Sequence, residues 1–419
     1  MRIIKLFFCL ITKVSSLLNE PFNFHSSLAI NNGITISWTT NEPYLFKPLI
    51  FYGEKQDLLL KFSFGTSLSY VKNSYHHHST IKNVNLSKPL FFKAGDGIIM
   101  SKIKKINFVS QKNIIIYGDM GIDFANNTMK SIENDENVDL IIHLGDISYA
   151  DDKGLEFGKN PYYENIYDEF MFNVERFSKL KPYMVCPGNH DISCHSITDF
   201  GCDVGFRNFS AYNSRFYMPQ NGVKNMWYSF DYGPIHFVSI NTETDYPNAP
   251  TNPHTLIGSG KGGDFGEQID WLRNDLLKAN KNRDTIPWII VYGHRPMYSN
   301  ILSDYPLFSK YHFRKAFENI LLDNKVDIYF AGHIHSYERN DKIINGKANE
   351  NGMYHITIGS AGNSEKIDKT HFFNNKFNLY SNYNDYGYGK LIIHNDTCLE
   401  WNFIVSENQN IEDKFIFIK

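Results

Sequence analysis

The sequence predicts a small β-sandwich followed by a layered α/β domain, and three observations predict it. From Phe22 to Phe108, short β-rich runs (GITISWTT, KPLIFYG, HSTIKNV, LFFKAGD) alternate with polar turns, the spacing of a sandwich. From residue 111 onward, short apolar runs alternate with segments of helical periodicity. Five of those apolar runs end on a glycine beside Asp, Asn or His. In α/β sheets the carboxyl ends of the strands are where ligands bind.

At 419 residues the chain is long enough for two domains and a sizeable core. A net charge of −3 and an isoelectric point near 6.6 argue against an electrostatic nucleic-acid binder. Residues 1–18, MRIIKLFFCLITKVSSLL, have a basic start, an apolar stretch from Ile3 to Thr12, and small Ser15 and Ser16. That is the outline of a secretory signal peptide, interrupted by Lys5 and Lys13. It is too short to span a bilayer, and no later segment reaches spanning length. Glycosylation sequons at Asn85, Asn126, Asn208 and Asn395 fit the same route. The expected location is therefore outside the cell or in the lumen of the secretory or vacuolar system. Of five cysteines, Cys9 would leave with the signal, and Cys194 and Cys202 share one loop and could pair. Cys186 lies in an apolar strand and reads as a buried thiol. None has the CxxC spacing of a zinc knuckle.

Within the first domain, His76-His77-His78 invites a metal reading. Successive strand residues point to opposite faces, so the three cannot converge on one ion. Polar strand residues are mostly solvated, which is the expectation here, with packing near the domain interface as the alternative. In the second domain, strands are expected at Asn113–Tyr117, Asp139–Leu144, Tyr183–Cys186, Ile235–Ile240, Trp288–Tyr292, Asp327–Phe330 and His355–Ile358. YENIYDEFMFNVERFSKL, EQIDWLRNDLLKANK and FRKAFENILLDNK carry apolar residues at helical spacing. The Pro- and Gly-rich stretch Asp245–Gly266 is too long for a simple connection and reads as an active-site rim or a disordered loop. The C-terminal YGYGKLIIHNDTCLEWNFI returns to a β pattern and is expected to close the sheet. His143 and His236, inside apolar strands, read as satisfied core histidines.

The centre of the pattern is Val138 to Tyr149, VDLIIHLGDISY. Its strand ends in Gly145-Asp146, and Tyr149 is close enough in a turn to aim its phenol where Asp146 points. A carboxylate and a phenolate together suit a hard, highly charged ion such as Fe(III). The other strand ends are Gly118-Asp119-Met120-Gly121, Gly188-Asn189-His190-Asp191, Val291-Tyr292-Gly293-His294 and Gly332-His333-Ile334-His335. Each alone is common loop punctuation; five in order are hard to explain without convergent metal binding.

This ordered set resembles the purple acid phosphatases, among the calcineurin-like metallophosphoesterases. The flanking strings WYSFDYGPIHFVSINTETDY, GHRPMYS and GHIHSYER are similar to the larger, fungal- and plant-type members. GITISWTT and YHHHSTIKNV resemble their N-terminal domain. The resemblance implies a fibronectin-III-like sandwich over 22–108 and an αββα metallophosphoesterase domain over 111–419. It implies two metals bridged by Asp146. Fe(III) would be held by Asp119, Asp146, Tyr149 and His335, and a divalent Fe, Zn or Mn by Asp146, Asn189, His294 and His333. Phenolate-to-Fe(III) charge transfer would give colour.

The implied activity is hydrolysis of small phosphate monoesters at acid pH by a metal-bound hydroxide. His190 is the expected proton donor or phosphate contact; its other reading is a residue that orients Asn189 or Asp146. Many plant members carry further histidines after the His-x-Pro motif, where this chain reads Asn300-Ile301-Leu302-Ser303-Asp304, and His312 comes next, in a helical pattern. Leaving-group protonation is then left to His190. Arg295 is read either as a phosphate contact or as a structural salt bridge. The alternatives are a phosphodiesterase or nucleotide pyrophosphatase on the same site, and a silent scaffold, which would lack ligands that are all present here. Neither a nucleic-acid partner nor a membrane span is expected, and a homodimer is left open.

Overall fold

The computed structural model describes residues 19–71, 74–108, 112–152, 160–195, 202–250, 262–301, 307–369 and 375–419. The signal-like segment 1–18 and residues 251–261 of the Asp245–Gly266 stretch lie outside the described residues. Eight strands come first: β1 (Phe22–Ala29), β2 (Gly33–Thr40), β3 (Leu49–Gly53), β4 (Lys61–Phe64), β5 (Thr66–Tyr70), β6 (Ser74–Ile81), β7 (Leu90–Gly95) and β8 (Lys104–Ile106). They form two four-stranded sheets, β1-β2-β6-β5 and β4-β3-β7-β8. Ile34, Ile36 and Trp38 alternate along β2 and share a core with Ile50, Phe92, Ala94 and Ile106.

The intervening Thr35, Ser37 and Thr39 of β2 are buried too, and this corrects the expected solvation of the histidines beside them. His76, His77 and His78 are all buried, each with a hydroxyl partner. His76 Nδ1 lies 3.1 Å from Thr39 Oγ1, His77 Nε2 2.8 Å from Thr40 Oγ1, and His78 Nδ1 2.8 Å from Ser37 Oγ. Face alternation holds: His77 stacks on Tyr44, whereas His78 reaches the Ser214 carbonyl at 3.1 Å, against the second part of the chain. Burial pushes His77 and His78 down to about 3, so they stay neutral at acid pH.

The second part holds β9 (Asn113–Tyr117), α1 (Asn126–Asn134), β10 (Leu140–His143), α2 (Tyr163–Ser178), β11 (Tyr183–Val185) and α3 (Ser210–Arg215). It continues with β12 (Tyr228–Tyr232), β13 (Ile235–Ser239), α4 (Gln268–Lys281), β14 (Trp288–Tyr292), α5 (Leu307–Asp323) and β15 (Ile328–Ala331). Last come β16 (Tyr337–Ile344), β17 (Lys347–Ala348), β18 (Met353–Ile358), β19 (Asn378–Asn382), β20 (Gly387–Asn395), β21 (Cys398–Val405) and β22 (Ile411–Ile418). One sheet runs β11-β10-β9-β20-β21-β22; the other runs β12-β13-β14-β15-β18-β16-β17, with β19 on β16.

The two sheets pack face to face with helices outside, and strand alternation shows why. On β14, Trp288, Ile290 and Tyr292 join the core between the sheets, while Ile289 and Val291 join a second core with Leu272 and Leu276 of α4 and Phe313 and Phe317 of α5. A strand apolar on both faces reads as a continuous run, which is what made these strands visible in the sequence. The C-terminal segment is β structure, as expected, and completes one side of the first sheet: β20 pairs antiparallel with β9, and β21 and β22 extend the sheet outward to its edge.

His143 is a core histidine, with Nδ1 2.6 Å from Tyr183 Oη. His236 is not. It is half-buried between Asp231 (2.6 Å) and Asp275 (3.0 Å), whose carboxylates outweigh burial and push it up to about 9 from 6.5. A folded-state value above the unfolded one favours the fold fully below pH 6.5, and the contribution is lost as pH rises towards 9. His236→Gln should therefore flatten the stability–pH curve across that window in guanidinium titrations. An unchanged slope would mean that the imidazole is neutral.

Candidate metal centre and active site

The parallel strands β9, β10, β11, β14 and β15 deliver their following loops to one place. Asp119 (φ 60°), Asp146 (φ 51°), Tyr149 (φ 52°) and His333 (φ 67°) all sit in the left-handed backbone region. Non-glycine residues avoid that region unless surrounding structure holds them there, and such residues cluster at functional sites. Two glycines make room for the carboxylates. A Cβ on Gly188 would lie 2.2 Å from Asp146 Oδ1, and one on Gly332 would lie 2.5 Å from Asp119 Oδ2.

Tyr149 Oη lies 3.0 Å from Asp119 Oδ1, 3.0 Å from His335 Nε2 and 3.3 Å from Asp146 Oδ2. The same Asp146 Oδ2 lies 3.0 Å from His294 Nε2, which is 3.1 Å from Asn189 Oδ1. Asp146 is thus shared by two groups of donors. Asp146, His294 and His333 each offer a ligand atom, all within 4.8 Å of one another, and could hold a metal ion. The structure therefore brings Asp119, Asp146, Tyr149, Asn189, His294, His333 and His335 together. His294 Nδ1 is 2.8 Å from the Leu144 carbonyl, to which it donates, so the opposite nitrogen Nε2 points inward.

Charge follows from burial. Burial would raise the Asp146 carboxyl, but His294, His190 and His333 hold it well below the usual range. Burial wins at Asp119, raising it against His294 and His335. At Tyr149, burial and then the Asp119 and Asp146 carboxylates push the phenol well up, so it is a neutral donor when no cation is present.

His190 is buried with its ring 4.3 Å from that of Tyr149. Its Nδ1 lies 3.0 Å from Asp151 Oδ2 and 3.6 Å from Asp152, while Nε2 faces Asp146 at 3.9 Å and Glu365 at 3.8 Å. Burial opposes the imidazolium, yet Asp151, Asp152 and Asp146 outweigh it and raise His190 well above 6.5. Arg295 forms the structural pair: its Nε donates to Glu243 at 2.8 Å, and Nη1 is 3.0 Å from His333 Nε2. Asn300, at the position of the missing histidines, is buried and bonded to Glu338 and Tyr383.

Three further residues shape this neighbourhood: Asp191, which closes the Gly188–Asp191 motif, and Asp151 and Glu365, which lie outside the motifs. Asp191 accepts from the backbone N–H groups of Asp146, Ile147 and Gly188, tying two loops together. Burial and the Asp146 charge push it up to about 8. Asp151 holds His190; its signal was the acidic doublet directly after Tyr149-Ala150. Glu365 reaches the site from a distant loop, 3.7 Å from His335, and nothing local marks it.

Away from the centre, Cys194 and Cys202 form a disulfide, and Cys186 is a buried free thiol. Asn85, Asn126 and Asn395 are exposed. Asn208 is not: its side chain makes two hydrogen bonds with the backbone of Gly263, which a glycan would break.

A calcineurin-like phosphoesterase family model matches residues 112–337, and an iron/zinc purple acid phosphatase-like protein C model matches 352–414. The chain is 31% identical to an acid phosphatase of Aspergillus ficuum, over 73% of this chain and 68% of that one. It is 30% identical to acid phosphatase type 7 of Mus musculus, over 83% and 79%. In fold it is similar to the purple acid phosphatase PPD1 from yellow lupin seeds (TM-score 0.76, 22% identity, 96% of this chain and 74% of that one). With one model matching more than half of its length and the other following it, the chain belongs to the purple acid phosphatase family of calcineurin-like phosphoesterases.

Proposed function

We propose that this protein is a metal-dependent acid phosphatase that hydrolyses phosphate monoesters at a binuclear centre bridged by Asp146. The observation that carries the reading is Asp146 Oδ2, placed between Tyr149 Oη and His294 Nε2. The donors fit two cations, because buried carboxylates faced mainly by imidazoles need compensating positive charge. Asp119, Asp146 and Tyr149 offer oxygens to a hard ion, with His335, and we assign Fe(III) there. Asp146, Asn189, His294 and His333 suit a divalent Fe, Zn or Mn. When bound, the cations supply Lewis-acid charge that acidifies water and offsets charge on the phosphoryl oxygens.

The chain's own residues do the rest. Asp191 and the glycines hold the Asp146 loop in its left-handed conformation. His190, held through Nδ1 by Asp151 and faced by Asp152, is placed to donate an Nε2 proton to the leaving alkoxide as the phosphorus–oxygen bond breaks. His190→Ala is expected to keep the metals and slow alkyl esters about 10²–10⁴-fold, with a much smaller loss for aryl esters, whose leaving groups need no proton. Equal losses for both would exclude the proton-donor role.

The reading is tested by metal content, visible spectrum and turnover of a phosphomonoester against a diester at acid pH. Two metals, a broad visible band that Tyr149→Phe removes, and preference for the monoester are the expected results. A colourless, active, two-metal protein would remove iron from the assignment, and diester preference would replace the substrate class. Failure to take up metal on reconstitution would end the reading.

Secretion, with residues 1–18 as signal, 22–108 as the sandwich domain and 111–419 as the phosphatase domain, is supported by the exposed sequons and the disulfide. Among the described residues, no helix is long and apolar enough to cross a membrane.

A further inference from the structure

The two sheets of the sandwich have different surroundings. The β1-β2-β6-β5 sheet docks on the second part of the chain, where Ser26 Oγ donates to the Ser178 carbonyl at 3.2 Å. The β4-β3-β7-β8 sheet is the outer layer. Its inward side chains Ile50, Phe92, Ala94 and Ile106 fill the core. Side chains alternate along a strand, so Phe51 and its cross-strand partners Phe62 and Lys93 stand on the outward face. Phe62 and Phe64 are 58% and 55% exposed, and the neighbouring Leu60 is 77% exposed. The Phe62 ring lies 5.4 Å from that of Phe64 and 6.5 Å from that of Phe51, and no further layer covers them among the described residues. Scattered exposed apolar residues are ordinary, but a contiguous strip marks an interaction surface.

Lysines stand over this strip. Lys47 Nζ is 5.5 Å from the Phe64 ring, Lys93 5.4 Å from Phe51, and Lys105 5.5 Å from Phe91. Residues 22–108 contain ten lysines, no arginine and four carboxylates, a charge of +6 in a chain of net −3, which leaves −9 for the rest. The face is therefore basic as well as apolar, and it sits on the only basic part of a two-part chain.

We propose that the outward face of the β4-β3-β7-β8 sheet docks on an anionic phospholipid bilayer. The phenyl rings enter the interfacial region and the lysines pair with headgroup anions, a combination that binds without any spanning segment. Two other occupants fit less well. A second copy packed through the same face would set one +6 part against another. An acidic polysaccharide would call for ring edges that hydrogen-bond, and the strip is phenylalanine rather than tyrosine or tryptophan.

Vesicle co-sedimentation of the full-length protein tests this, with phosphatidylcholine alone and with added phosphatidylserine. Binding is expected only to the anionic vesicles, falling with salt. Phe62→Ser with Phe64→Ser, and separately Lys47→Glu with Lys105→Glu, should each weaken it about tenfold. Turnover of a soluble phosphomonoester should stay unchanged, showing that both variants are folded. Absence of binding, or equal binding by the variants, would overturn the proposal. So would a variant-sensitive dimer, or variant-sensitive retention on a soluble acidic polysaccharide, with no vesicle binding.

Discussion

Asp146→Asn is expected to lose both metals together and nearly all turnover. Its Oδ2 is the one atom that faces both the Asp119–Tyr149–His335 group and the Asn189–His294 group. An amide keeps the shape but removes the shared negative charge. It also places an NH2 donor or a neutral oxygen where each cation would need an anion. Several kcal/mol of transition-state charge stabilisation is lost with the metals, about a thousandfold or more in kcat. Metal analysis separates this from a simple rate defect: both ions should fall, whereas a ligand serving one site alone should release one. Retained metals with retained activity would show that Asp146 does not bridge.

The largest stability effect is expected at Arg215, which is not among the candidate metal ligands. Its guanidinium is buried and donates to Glu164 at 2.7 Å and Asp168 at 2.9 Å, both on α2. It also lies 4.3 Å from the Tyr167 ring and 5.5 Å from Tyr70 of the sandwich. Arg215→Ala would strand the buried Glu164 carboxylate without its cation. Breaking one side of a buried pair costs about 3–5 kcal/mol, more than the pair itself contributes relative to apolar side chains. The guanidinium unfolding midpoint should drop accordingly, and Glu164→Gln in the same background should recover part of it. A loss under about 1 kcal/mol would mean that the pair is solvated.

Much of the site was legible because its signals are local. A buried strand reads as an apolar run, and a glycine followed by a donor at its end marks a tight turn that presents the donor. One such turn is ordinary punctuation, but five in order are enough to pick Asp119, Asp146, Asn189, His294 and His333 as a set. Cys194 and Cys202 were legible for the same reason, since one short loop brings them together. Burial of the three histidines was not legible, because it depends on partners distant in the chain: Ser214 and Tyr217 of the second part cover His78, and Trp38 and Tyr44 of the sandwich stack on His77. His236 was misread because its two carboxylates come from β12 and α4.

By itself, then, the sequence determined the order of the five donor-bearing turns and the succession of sandwich and α/β layers. Both are set by hydrophobic period and by glycine, which act over a few residues. Only the tertiary structure decided that Asp146 Oδ2 is the shared atom, that Asp191 ties two loops through their backbone N–H groups, and that Asp151 and Glu365 flank His190. It also decided that the C-terminal strands join the sheet through β20 beside β9. Each of these is a contact between segments far apart in the chain. The free energy that holds four ligand-type residues in left-handed backbone comes from those contacts, and no local pattern encodes it.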